Sequence, residues 1–209
     1  MQVLEKKAEY ISDERGERFV SVIDGKLCEV YFGVEIVPEP WRQVLWELYK
    51  NSLHIEEAIQ EQSCYTGDSF IDALTDLEYN KVVLVIDGSP SGLLMGTNNL
   101  EKARVAYINP EFLRQRYPRE VREGRLWYLT CMFISPEARN LGFAREVIRA
   151  SAEAIRRKDY VLISDVCDKR LFLPDVLVDL GEGIGFPVEK EILGSQTYFA
   201  LKERKPSPA

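Results

Sequence analysis

Apolar and polar positions alternate, or repeat at helical spacing, through most of the chain, and the two periods divide it into elements. Residues 18–23 and 26–36 are β-rich runs separated by Asp24-Gly25, a dipeptide that predicts a two-residue hairpin turn. Pro38 and Pro40 close that unit. Trp41, Val44, Leu45, Leu48, Ser52, Ile55 and Ile59 then fall on one helical face, which predicts a helix packed on a core. A second helix is expected after Asp68 or Ser69, either of which can cap it, with Phe70, Ile71, Leu74 and Leu77 as its apolar face. Residues 81–87 (KVVLVID) are dense in β-branched side chains and predict a buried strand. Gly88-Ser89-Pro90-Ser91 is expected to turn the chain into a second strand over 92–96.

A polar stretch over 97–124 follows, containing a short helix over 110–117, and is long enough to be an inserted flap over a site. Residues 126–134 (LWYLTCMFI) are apolar and uncharged, and predict the central strand; Ser135-Pro136 ends it. After a short loop, Ala144, Val147, Ile148, Ser151 and Ile155 line one face of a long helix. Residues 160–166 (YVLISDV) predict another buried strand. Pro174 starts a short helix running to Leu180, which Gly181, Gly183 and Gly185 break, and 196–201 reads as a last strand. The charged, Pro-rich tail over 202–209 is expected to be mobile. No internal repeat or linker marks a second domain, so one domain over 1–201 is expected, with 1–37 as an N-terminal hairpin extension.

Strand, turn with glycine, and helix in that order make an anion site. The first N–H groups of a helix lack carbonyl partners, and its dipole leaves partial positive charge there. A phosphate takes up those N–H groups, and small residues at 142 and 144 let it approach the backbone.

Arg139, Gly142 and Ala144 match the pattern Arg/Gln-x-x-Gly-x-Gly/Ala, and the segment resembles the cofactor-binding motif of the GNAT superfamily of N-acetyltransferases. The element order also resembles that fold: an α/β protein with a mixed, twisted central sheet and helices on both faces. The resemblance covers about 41–201, and Gly185-Phe186 before a late strand matches a Gly-Phe usual in the family. It implies that backbone amides around Arg139, Asn140, Leu141, Gly142, Phe143, Ala144 and Arg145 hold the pyrophosphate of acetyl-CoA. It further implies that the strand ending at Phe133 and Ile134 pairs with the pantetheine arm, and that the acceptor is an amine, small molecule or peptide.

The chain departs from the family where a proton must be handled. The position five residues before Phe186, where the family has a tyrosine, is Gly181. The usual upstream asparagine aligns near Pro174, and residues 126–134 carry no carboxylate. Tyr128 is the conventional acid/base on that strand and so the catalytic candidate; packing under a helix is the plainer role for it. Cys131 in an apolar strand is expected to be inert, Asp165 near the end of the 160–166 strand could hold an amine or equally serve a surface or hairpin role, and Tyr198 could approach the site with nothing to single it out. Two readings follow from the resemblance: direct acetyl transfer in a ternary complex, or a degenerate module that keeps the CoA site without transfer. An unrelated α/β protein whose glycine turn binds another phosphate ligand is the third.

Composition alters this picture in few places. The 209 residues suffice for one sizeable core. Net charge is −7, which disfavours nucleic acid as partner. Acidic residues crowd 56–78 and arginines crowd 114–125, either as solvated faces or as a cationic acceptor half and a phosphate half. With one histidine and four scattered cysteines, no metal site is expected, and free thiols suggest a reducing cytoplasm. No apolar run is long enough for a membrane helix, and MQVLEKKAEY lacks a signal core. The oligomeric state is open, a homodimer included.

Overall fold

The structure is a computed structural model. It describes residues 9–14, 16–53, 65–103, 109–139, 147–149, 160–164, 173–183, 185 and 189–193. The strands among the described residues are β1 (Glu9–Asp13), β2 (Gly16–Ile23), β3 (Lys26–Tyr31), β4 (Tyr79–Ile86), β5 (Ser89–Thr97), β6 (Leu126–Ile134) and β7 (Val161–Ser164). They form one seven-stranded mixed sheet in chain order, antiparallel from β1 to β6, with β6 and β7 parallel. The helices among the described residues are α1 (Glu39–Leu53), α2 (Gly67–Thr75), α3 (Pro110–Arg116), α4 (Pro118–Arg122) and α5 (Leu173–Gly183), and residues 147–149 are also helical.

The expected Asp24-Gly25 turn is present, with φ of 49° and 77°, the pair of positive values that a two-residue type I′ hairpin demands. The second turn corrects an expectation. It lies at Asp87-Gly88, again with φ of 49° and 81°, and Ser89–Ser91 already belong to β5. Pro90 is tolerated inside that strand because the β4–β5 register shifts beside it, from Leu84↔Gly92 to Val85↔Pro90. The N-terminal unit is likewise larger than a hairpin. β1 adds a third strand, so β1–β3 form a meander that continues the main sheet through β3–β4 pairing. β3 ends at Tyr31 rather than at 36.

The central strands bury both faces, which is why they read as unbroken apolar runs. Val83, Val85, Leu93 and Met95 point to one side, into a core closed by Leu45 and Tyr49 of α1 and by Phe70, Ala73 and Leu74 of α2. Val82, Leu84 and Leu94 point to the other, with Cys28, Val30, Trp127, Leu129, Ala138 and Val147. Phe70 is fully enclosed, which is worth about 2–3 kcal/mol. On α1 the expected face shifts slightly: Val44 is exposed and Tyr49 takes its place in the core, while Ile55 and Ile59 lie outside the described residues. The second helix is capped one turn earlier than expected. Thr66 and Ser69 form a capping box, and Tyr65 and Phe70, on either side of it, pack their rings at 5.9 Å as a hydrophobic staple. α5 runs through Gly181 to Gly183, beyond the predicted end at Leu180. The predicted strand over 196–201 and the tail lie outside the described residues.

Lys81 on β4 is wholly buried, and its ammonium donates to the carbonyls of Glu35 and Asp76, tying the segment after β3 to the end of α2. Burial lowers its pKa to about 8. Between that value and the ordinary 10.5, the unfolded chain keeps a proton that the folded chain has released. Stability is therefore expected to rise with pH across this window, by on the order of 2–3 kcal/mol. Urea unfolding at pH 7.5 and pH 10 checks this: the rise should be present in the native chain and missing from Lys81→Met.

Candidate active site

β6 occupies the predicted bounds, but it is not a regular strand. Its register against β5 runs Met95↔Cys131 and then Gly96↔Leu129, so Thr130 is an extra residue with no partner Cα on β5. The Thr130 hydroxyl donates to the Met95 carbonyl at 3.1 Å and fixes the bulge. Gly96 allows it: a Cβ there would lie 2.4 Å from the Tyr128 carbonyl oxygen and 2.8 Å from the Trp127 ring.

The extra residue reverses the side-chain alternation. Trp127 and Leu129 point to one face, and after the bulge Met132 and Ile134 pack on that same face. Cys131 and Phe133 instead enter the α1–α2 core. An unbroken strand would have put Leu129 and Cys131 on the same side.

Pairing with β7 runs from Leu126↔Val161 to Leu129↔Ser164. Residues 130–134 therefore lie past the described part of β7. At the far end Ser135 N–H donates to the Ser91 carbonyl at 2.8 Å, and Ala138 N–H to the Ser135 carbonyl at 3.0 Å, turning the chain. The Arg139 guanidinium reaches back from this turn. It donates to the Ile134 carbonyl (3.2 Å) and to the Ser52 carbonyl near the end of α1 (3.0 Å), clamping helix to strand. Sequence reasoning gave Arg139 to the phosphate loop without foreseeing this clamp.

Asn140, Leu141, Gly142, Phe143, Ala144 and Arg145 lie outside the described residues. Beyond them the expected helix is present at 147–149, where Val147 is buried and Arg149 stacks 4.6 Å above the Phe19 ring on β2. A helix therefore covers the face of the sheet opposite α1 and α2.

Tyr128 is 1% exposed, in a cluster with Leu100, Ala103, Leu113, Leu126 and Ile163. Cys131 is buried, which pushes its thiol pKa well up and keeps it protonated. One tyrosine escaped notice in the sequence. Tyr65 sits against β6 from the α2 side, beside Thr130, Cys131 and Tyr79. The signal was available: Tyr-Thr-x-x-Ser-Phe carries the capping box and staple that fix its position.

The charged segments are largely matched within the chain. Asp76 and Glu78 both pair with Lys102, which holds their carboxyl pKa values below the ordinary range. Arg114 pairs with Glu101, Arg116 with Glu191, and Arg119 and Arg125 with Glu123. Four arginines of the run are thus engaged by carboxylates of the chain itself. Glu56, Glu57, Glu61, Asp165 and Tyr198 lie outside the described residues. Among the described residues no group of three His, Cys, Asp or Glu side chains is placed to hold a metal, and no helix is long and apolar enough to cross a membrane.

No family model matches the chain, and no curated protein does. Among solved structures it is similar to the aminoglycoside acetyltransferase meta-AAC0020 from an uncultured soil metagenomic sample, crystallised with sisomicin. Identity there is 12%, the TM-score 0.47, and 84% of this chain and 97% of that one are covered. It is similar to a ribosomal-protein-alanine N-acetyltransferase from Brucella melitensis biovar Abortus 2308, at 12% identity and a TM-score of 0.47, over 83% and 99% of the two chains. It is also similar to AAC(6′)-Iy in complex with the bisubstrate analog CoA-S-monomethyl-acetylneamine, at 13% identity and a TM-score of 0.43, over 82% and 99%. The chain resembles the GNAT superfamily of acetyltransferases in the order of its strands and helices and in its Arg139-x-x-Gly142-x-Ala144 motif.

Proposed function

We propose that this chain is an N-acyltransferase that moves an acetyl group from acetyl-CoA to an amine of a small molecule or peptide, in a ternary complex. The observation that carries the proposal is β6 itself. It bulges at Thr130, continues past the described pairing with β7, and ends in a turn that leads to a helix. The edge of β6 past that pairing suits an extended, amide-containing arm, which adds to a sheet as a peptide strand does. The residues fit that donor: backbone groups over 130–134 for the pantetheine, with Phe133 and Ile134 nearest the turn, and the amides of 140–145 for the diphosphate. Arg139 acts by position, holding the turn against α1.

In the transfer the amine nitrogen bonds to the thioester carbon, the carbon–sulfur bond breaks, the amine gives up a proton and the sulfur takes one. Deprotonating a lysine-like amine at neutrality costs about 4–5 kcal/mol, so a base, a water chain or a desolvated pocket must offset it. The one cysteine on β6 stays a buried thiol, which supports direct attack over a covalent enzyme intermediate. A cytoplasmic setting accords with the buried free thiol of Cys131.

A second reading, a CoA-binding module without transfer, is favoured by two positions. Gly181, aligned with the family's tyrosine, lies within α5, and Tyr128 is enclosed by apolar neighbours. Thermal unfolding with CoA and acetyl-CoA tests both readings. At about a hundred times the dissociation constant, either is expected to add about 2.7 kcal/mol and to raise the midpoint by about 5–10 °C. Gly142→Glu, which puts a carboxylate where the diphosphate would sit, is expected to abolish that rise. No rise in the native chain rejects both readings, and a rise without thiol release across an amine panel selects the second.

A further inference from the structure

Two buried side-chain polar atoms among the described residues lack a hydrogen-bond partner: the Tyr65 hydroxyl and the Trp127 indole N–H. Both flank the irregular part of β6. Trp127 packs over Gly96, three residues before the bulge, in the core on the other face. The Tyr65 hydroxyl stands near those of Thr130 and Tyr79, and beside Cys131, on the α1–α2 face, without meeting hydrogen-bond geometry to any of them.

Tyr65 is held firmly in this place. Its N–H donates to the Tyr49 hydroxyl at 2.9 Å, its ring meets Tyr49 edge-on at 6.2 Å and Phe70 at 5.9 Å, and the residue is 7% exposed. An unsatisfied buried donor is costly, and such groups are rare in folded chains. Burial also pushes the phenol pKa up, so at neutral pH the oxygen keeps its proton and the group offers a donor. A donor calls for an acceptor atom. On the acyl-transfer reading, the arm runs along residues 134 to 130 of β6, which brings its acyl end to the bulge.

We propose that the Tyr65 hydroxyl is a substrate-contacting donor that hydrogen-bonds the carbonyl oxygen of the acyl group carried to the Thr130 bulge. The inference rests on the acyl-transfer reading and adds to it a residue that neither motif nor resemblance supplies. It also separates the acyl donor from its product: acetyl-CoA carries that carbonyl and free CoA does not. The hydroxyl therefore helps the site to take up the first and release the second.

Calorimetric titration of the full chain with acetyl-CoA and with CoA tests this, beside Tyr65→Phe. One hydrogen bond corresponds to a preference of about two- to tenfold for acetyl-CoA in the native chain. In Tyr65→Phe that preference should fall to about one, with CoA affinity unchanged. The melting point of the free variant should stay level or rise, since an orphan polar atom is removed. Three results overturn the inference while the CoA site stands: no preference in the native chain, an undiminished preference in Tyr65→Phe, or a variant that melts well below the native chain, which marks an internal structural role. Failure of both CoA species to bind the native chain overturns the acyl-transfer reading and this inference with it.

Discussion

Gly96→Ala is expected to lower stability by about 3–4 kcal/mol, and the melting point by about 6–16 °C. The added methyl would lie 2.4 Å from the carbonyl oxygen of Tyr128 and 2.8 Å from the indole of Trp127, both on β6. The first obstacle is backbone, which no rotamer change relieves. β5 and β6 must part at the one place where their pairing is already uneven. Gly92→Ala is the comparison. Its methyl would meet the Phe133 carbonyl at 3.0 Å and the Ile134 side chain at 3.3 Å, a squeeze that a shift of a few tenths of an ångström relieves. Urea titrations of both variants should rank Gly96→Ala well below Gly92→Ala. Equal stabilities would mean that the strands are not in close contact at the bulge.

Arg18→Leu is expected to cost about 3–5 kcal/mol, measured by the same titration. Arg18 is 1% exposed on β2. Its guanidinium donates to both Asp13 oxygens at 2.6 and 2.9 Å and to Glu29 at 3.1 Å, and lies 5.6 Å over the Tyr31 ring. Removing the cation affects the two acids unequally. The Asp13 side chain is 37% exposed and can hydrate, whereas that of Glu29 is 10% exposed and keeps its burial. Most of the loss therefore belongs to Glu29, and adding Glu29→Leu to Arg18→Leu should restore a large part of it. Additive losses in the double variant would place the effect in side-chain packing instead.

The elements legible from the sequence are those whose pattern is set by local chemistry. β6 was read to its ends because an uncharged run of nine residues stops at Ser135-Pro136. The Asp24-Gly25 turn was read because few other dipeptides accept two positive φ values. β1 was missed: EYISD lies at the sheet edge with almost every residue exposed, so burial imprints no alternation on it. Ser89-Pro90-Ser91 reads as a turn because a proline inside a strand needs a register shift, which only the partner strand can supply. The site divides along the same line. Its strand and its helix were legible, whereas the bulge arises from the match between β5 and β6 and leaves no mark on either alone. The Arg139 clamp joins residues 87 apart in sequence, a pairing that no local pattern carries.

The strand order bears on how the molecule is made. From β1 to β6 each strand pairs with its predecessor in the chain, and the β1–β2, β2–β3 and β4–β5 connections are tight. Such pairings close small loops and form early. β6 and β7 are parallel, and joining them requires the whole crossover from 135 to 160 to be in place. The docking of β7 therefore follows the local antiparallel pairings. Until it happens, the β6 edge is a bare template for any passing strand, and a nascent chain is most prone to self-association along that edge.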